Sequence, residues 1–157
     1  MRRPSTSTPA LPAEDRIFIS LQKTADFLGL EAEQLFKPHG LTGTQYNVLR
    51  ILRGAEPEGL ACSGIGERMI SHDPDMTRLL DRMEKRALIS RARQSDDRRV
   101  VKTRITPAGL ALLKTLDQPV RELHKHQFRH IPSARLKTLA AILEEIRARD
   151  EEQEVAL

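Results

Sequence analysis

Two proline-led helix starts, Asp73-Pro74 and Thr106-Pro107, frame the stretch that most limits what this chain can fold into. At each, a short polar side chain can accept backbone N–H groups, and the proline suits a first helical position, where its missing donor costs nothing. After Asp73, the residues Met76, Leu79, Leu80 and Met83 recur at helical spacing and predict one buried stripe, with Thr77, Arg78, Asp81, Arg82 and Lys85 off it. The pattern then changes. Leu88 to Arg93 predicts a strand, residues 94–99 a polar, charged turn, and Val100 to Ile105 a returning strand rich in β-branched residues. From Arg78 to Arg104 there are ten Lys/Arg and four Asp/Glu, a local charge of +6 that exceeds the +4 of the whole chain. A concentration of this kind favours an anionic partner more strongly than the overall balance does.

Helix, strand, charged turn, strand and helix in this order form the winged-helix pattern. Thr77 to Ile89 (TRLLDRMEKRALI), Asp97-Arg98-Arg99 and Ile105-Thr106-Pro107-Ala108-Gly109 together resemble the MarR family of bacterial transcription regulators. The resemblance runs from about residue 14 to 148 and is most specific between 65 and 109. One departure is Ala87, where the family often has glycine at the end of the reading helix, which should slightly alter the helix stop. The fold implied is mainly α with a small β wing: a winged helix-turn-helix lobe plus a helical dimerisation layer. The function implied is sequence-specific, double-stranded DNA binding by a homodimer on a pseudo-palindromic operator. By the same resemblance, the regulator is a repressor released by a small aromatic or phenolic effector.

The rest of the chain divides accordingly. Residues 1–12 hold three prolines and four Ser/Thr and predict a flexible N-terminal tail, with Arg2 and Arg3 as a basic arm near DNA. Residues 13–40 predict a dimerisation helix. Its stripe is Ile17, Leu21, Ala25, Leu28, Ala32 and Leu35, flanked by Phe18 and Phe36, and Pro38-His39-Gly40 ends it. Residues 41–106 are the DNA-binding lobe. Within them, Thr42 and Gln45 make a capping-box pattern and Leu60-Ala61-Cys62 a very short strand covering the sheet edge. Ser63 is expected to cap the next helix, with Ile65, Met69 and Ile70 facing inwards. Residues 107–148 predict two C-terminal dimerisation helices, the first interrupted by Pro119 and expected to kink near 115–119. Residues 149–157 form an acidic tail.

The DNA-contacting candidates on the reading helix are Asp75, Thr77, Arg78 and Arg82. The forked donors of arginine match guanine O6 and N7, and threonine suits a phosphate or a thymine methyl. In the wing they are Asp97, Arg98 and Arg99. The resemblance sends Arg99 into the narrow minor groove, gives Asp97 a bracing role and leaves Arg98 for a phosphate. His39, Tyr46 and Arg50 are the effector-pocket candidates, from position alone.

Other chemistry finds little support. HKHQFRH places His126 and His130 four apart, but basic neighbours and Pro132 argue against a metal, and no metal or cofactor is expected. No nucleophile has a plausible base and no Gly-rich phosphate loop exists, so the chain is read as a non-enzyme. The single cysteine fits a reducing cytoplasm, and Cys62 is expected to be a small buried hydrophobe. No apolar run of about 18 residues marks a membrane span. Two alternatives stay open here: a nucleoid-type structural DNA binder without effector, and a redox-sensing regulator that uses Cys62.

Overall fold

The computed structural model describes residues 11–71, 73–93 and 100–154, of which 149–154 are described by their backbone alone. Contacts divide the chain into two units, Met1–Val120 and Arg121–Leu157. The first opens with helix α1, Ala13–Phe36, followed by a single 3-10 turn over Lys37–His39. Gly40 takes a left-handed conformation at φ 63, which lets the N–H groups of Gly40 and Leu41 return to the carbonyls of Lys37 and Phe36. Only the last turns of α1 meet the core: Phe36 is buried and Ala32 and Leu35 pack against it, whereas Ile17, Phe18, Leu21, Phe27 and Leu30 are exposed.

Helix α2, Gly43–Gly54, starts on the expected capping box, with Thr42 Oγ1 accepting from the Gln45 N–H and Gln45 Oε1 accepting from the Thr42 N–H. Glu33 of α1 adds a third acceptor, taking the Gly43 N–H at 2.6 Å, where a carboxylate also suits the positive end of a helix. Strand β1, Leu60–Ala61, is followed at once by helix α3, Cys62–Gly66. With α4 (Met76–Lys85), β2 (Ile89–Arg93) and β3 (Val101–Ile105) they complete the lobe. The antiparallel sheet has the order β1-β3-β2, so β1 covers one edge of the hairpin as predicted. Its register pairs Leu60 and Arg91 with Thr103 from opposite sides. Val48, Leu49, Leu52, Ile65, Leu79, Leu80, Met83, Ile89 and Ile105 form one buried cluster between helices and sheet.

Several expectations need correction. α3 stops after five residues, and Ala61, not Ser63, precedes it, with no side-chain cap. The helical period therefore ends before Ile70. Ile65 is buried and Met69 half-buried, but Ile70 is 89 % exposed, with its N–H donated to Asn47 Oδ1 at 2.9 Å. Cys62 turns into the helix rather than continuing the strand, and it is exposed rather than buried. α4 begins at Met76 rather than Pro74. Asp73 Oδ1 accepts the Asp75 N–H in a local turn, and Asp75 becomes the cap by accepting from the Arg78 N–H.

α4 ends in a Schellman arrangement, with the Leu88 N–H on the Met83 carbonyl and the Ala87 N–H on the Glu84 carbonyl. The left-handed residue this requires is Ala87, at φ 55. Thr106 closes the corner, donating its hydroxyl to the Ala87 carbonyl and accepting the Gly109 N–H. Helix α5, Pro107–Phe128, follows and continues through Pro119. A Cβ on Gly109 would lie 2.3 Å from the Leu88 carbonyl oxygen and 2.8 Å from Ile105 Cγ1, so the close approach of α5 to the hairpin requires glycine there. Arg53 of α2 and Asp117 of α5 join in a two-pronged ion pair, both contacts 2.9 Å.

The second unit contains the end of α5 and helix α6, Ser133–Glu154. α6 runs past residue 148, the boundary expected for the acidic tail. Leu136 and Leu143 are half-buried and Leu139, Ile142 and Ile146 exposed. His124, His126 and His130 are exposed, and among the described residues no group of three or more metal-ligating side chains occurs. Among the same residues, no helix is long and apolar enough to cross a membrane.

Two substitutions test this packing. Ala87→Gly relieves a left-handed conformation that disfavours a Cβ by about 1–2 kcal/mol, against about 0.5–1 kcal/mol of added backbone entropy. A net gain of about 0.5–1 kcal/mol, read as a raised midpoint in urea unfolding, is expected. Gly109→Ala presses a methyl group into backbone that cannot yield, and a loss of about 1–3 kcal/mol in the same experiment is expected.

Candidate nucleic-acid interface

The ten residues of α4 divide into three faces. Met76, Leu79, Leu80 and Met83 point into the core, the last three buried. Arg78, Arg82 and Lys85, at spacings of four and three, share an exposed basic face, and Thr77 beside them is exposed. Asp81 and Glu84 form the third face, where both meet Arg91 of β2. Glu84 accepts the Arg91 backbone N–H through Oε1 at 3.0 Å and its Nε and Nη2 through Oε2 at 2.9 and 2.7 Å, while Nη2 also reaches Asp81 Oδ1.

This arrangement decides the electrostatics. Unpaired, two carboxylates would sit beside the exposed basic row of α4. Arg91 neutralises them from the strand side, and its own N–H, which faces away from the ladder on an edge strand, is satisfied by the same carboxylate. The Arg91 hydrogen bond holds the Glu84 carboxyl below the usual glutamate range. Arg91 in turn is raised, chiefly by its hydrogen bond to Glu84. Arg82 and Lys85 make no ion pair among the described residues. Arg78 Nε leans on Asp75 Oδ2 at 3.3 Å, and the Arg78 side chain is 78 % exposed.

Of the residues expected at the interface, Asp75, Thr77, Arg78 and Arg82 fall together at one end and one side of α4. Asp75 serves as the helix cap. Asp97, Arg98 and Arg99 lie outside the described residues. The hairpin that carries them is present, with Arg93, Lys102 and Arg104 on its strands. Arg91 was missing from the sequence-based set: its pairing depends on which strand packs beside α4, and only the alternation of side chains along β2 hinted at its direction.

The effector candidates are only partly brought together. Arg50 Nη1 donates to the Tyr46 hydroxyl at 3.2 Å and lies 6.0 Å from the Tyr46 ring centre, and Tyr46 stacks on Phe36 with ring centres 4.4 Å apart. The His39 imidazole makes no hydrogen bond among the described residues. It is the His39 backbone carbonyl, with that of Gly40, that accepts from Arg86 at the end of α4. Arg50 also borders an open cleft of about 430 Å³ with Ile51, Leu60 and Arg68, which neither Tyr46 nor His39 lines.

Comparison with known proteins places this geometry. Residues 41–101 match the model of the MarR family. A MarR transcription factor from Planctomyces limnophilus is 38 % identical, the alignment covering 86 % of this chain and 98 % of that one, with a TM-score of 0.66. The transcriptional repressor IacR of Pseudomonas putida is 30 % identical over 112 residues, 71 % of this chain and 66 % of that protein. A structure of Bordetella bronchiseptica BpsR, described as regulated in DNA binding by 6-hydroxynicotinic acid, shares the fold at a TM-score of 0.75 and 18 % identity, with 84 % of this chain and 98 % of that chain covered.

The carboxylate clamp gives stability a definite pH dependence. A glutamate whose folded value is depressed contributes stability that is present above its unfolded value, about 4.3, and lost as pH falls through the folded value. Wild type should therefore be more stable than Glu84→Gln at pH 7, and urea midpoints of the two should converge as pH drops below about 4. A pH-independent difference would show that the Glu84 charge contributes nothing.

Proposed function

This chain belongs to the MarR family of DNA-binding transcription regulators, and from that premise we infer that it acts as a homodimer reading a pseudo-palindromic operator with α4. Each copy lays the basic face of α4 into the major groove, with half-sites about 10 bp apart. Arg78 and Arg82 address base edges, Thr77 a phosphate or thymine methyl, and Asp75 steadies Arg78 from the helix start. Arg99 enters the minor groove from the wing tip, with Asp97 bracing it and Arg98 on a phosphate. The observation that carries this reading is the exposed row Arg78, Arg82 and Lys85, on a helix whose two carboxylates are both engaged elsewhere.

The dimer is formed by α1 and the two C-terminal helices. Its support is the apolar surface that α1 exposes at Ile17, Phe18, Phe27 and Leu30 and that α6 exposes at Leu139, Ile142 and Ile146. The protein represses transcription, as the name of IacR says of that protein, and is released by a small aromatic acid; the BpsR structure is described as regulated in DNA binding by one such acid. Tyr46 and Arg50 hold this effector, one offering a ring face and hydroxyl, the other a guanidinium, with His39 nearby in sequence. Release is a population shift: the effector lowers operator affinity only as far as it prefers the spacing that does not fit DNA, tenfold for each 1.4 kcal/mol or so of preference. The site of action is the cytoplasm, in keeping with the single unpaired cysteine and the regulator's DNA target.

Fluorescence anisotropy on DNA upstream of the protein's own gene, beside a scrambled duplex at two salt concentrations, tests the reading. Specific, salt-sensitive binding to the first is expected, with Arg82→Ala weaker by about tenfold or more, the loss of one bidentate base contact. Equal affinity for both duplexes, and for duplexes selected from a random pool, would favour a nucleoid-type binder. An unchanged Arg82→Ala would remove α4 as the reading helix.

A further inference from the structure

Arg91 engages two carboxylates at once, and no part of the proposed DNA contact uses it directly. Its guanidinium and backbone N–H together make four hydrogen bonds to two carboxylates of α4. Its side chain is 24 % exposed, against 44 % for Asp81 and 37 % for Glu84. We propose that Arg91 is a positioning residue for DNA binding, acting through Asp81 and Glu84: it holds both carboxylates and masks their charge, so that the basic row of α4 meets DNA unopposed by its own acids.

The proposal rests on α4 being the DNA-reading helix. Within α4, Arg78, Arg82 and Lys85 supply three positive charges, and Asp81 and Glu84 remove two of them. A phosphate approaching within a Debye length, about 8 Å at physiological salt, senses all five. The fourth cation, Arg91, comes from β2, and it raises the net charge of this group from +1 to +2. Glu84 also joins the Arg91 backbone to α4, where a lysine at position 91 would offer one compact charge in place of the fork that reaches both carboxylates. Masking by a bound arginine differs from having no acid at all. Neutral residues at 81 and 84 would remove the acid charge and also free Arg91 to turn outward as a further cation beside the basic row.

The experiment compares anisotropy titrations on a duplex selected from a random pool for Arg91→Ala, Arg91→Gln, Asp81→Asn/Glu84→Gln, and the triple variant Arg91→Ala/Asp81→Asn/Glu84→Gln, with circular dichroism confirming the fold. Arg91→Gln retains donors for Glu84 and stands in where Arg91→Ala does not fold. Each Arg91 single variant should bind about tenfold or more weakly, with a shallower dependence on salt, because unmasked carboxylates reduce the net count of neutralised phosphates. The triple variant should recover to within about threefold of wild type, since the unmasked charge is gone. Asp81→Asn/Glu84→Gln should bind about twofold to fivefold more tightly, by release of Arg91. A merely structural role would leave the triple variant as weak as Arg91→Ala, and that result would overturn the proposal. So would wild-type affinity in both Arg91 single variants, or weaker binding by Asp81→Asn/Glu84→Gln. Arg82→Ala, run alongside, separates the two levels: if it binds like wild type, the reading of α4 itself fails, whatever the Arg91 variants do.

Discussion

The structure depends on burying one side of a ten-residue helix without tying up the other. Leu79, Leu80 and Met83 lose nearly all contact with solvent, and this anchors α4 in the lobe although a helix of this length is marginal in water on its own. Burial also fixes the rotation of α4 about its axis. With the apolar stripe inward, the position of every other side chain is determined, and Arg78, Arg82 and Lys85 face outward as a consequence. The remaining elements hold this helix at both ends: the Asp75 cap at its start, and at its close the Schellman turn with Arg86 bonded to the His39 and Gly40 carbonyls.

Charge is then distributed by tertiary contact. Two arginines with carboxylate partners on neighbouring elements do structural duty. Arg53 joins α2 to α5 through Asp117, and Arg91 joins β2 to α4 through Asp81 and Glu84. Both pairs are partly exposed, so their contribution to stability is modest and sensitive to salt. Their larger effect is on orientation, since forked arginine contacts fix direction as well as distance. The Arg53 pair sits where the lobe meets the long helix α5, and the Arg91 pair where the helix meets the hairpin.

Local signals in the sequence were legible, and long-range ones were not. The capping box at Thr42 and Gln45, the extent of α1, the hairpin strands and the Thr106-Pro107 start all follow from residues within a few positions of one another. The failures have physical causes. Asp73-Pro74 and Asp75 compete for the same task, and the nearer aspartate to the first apolar residue wins the cap while the other makes a turn. Ser63 reads as a cap although the helix already begins one residue earlier, at Cys62; Ile70 follows from extending a helical period that stops at Gly66, and Cys62 from extending a strand that stops at Ala61. Ala87 departs from glycine, and the backbone there still takes the left-handed form glycine prefers. Arg91 and the Arg53–Asp117 pair were invisible because partners seven and 64 positions apart meet only once the fold exists. The family resemblance read from residues 65–109 agrees with the matched region 41–101 and with the relatives found.

The most direct measurement is a crystal structure of the protein on a duplex selected from a random pool. The account predicts α4 in the major groove, with Arg82 within hydrogen-bonding distance of a base edge and Asp81 and Glu84 still bound to Arg91. A complex in which α4 faces away from the DNA, or in which Arg91 has left the two carboxylates to contact phosphate, would contradict it.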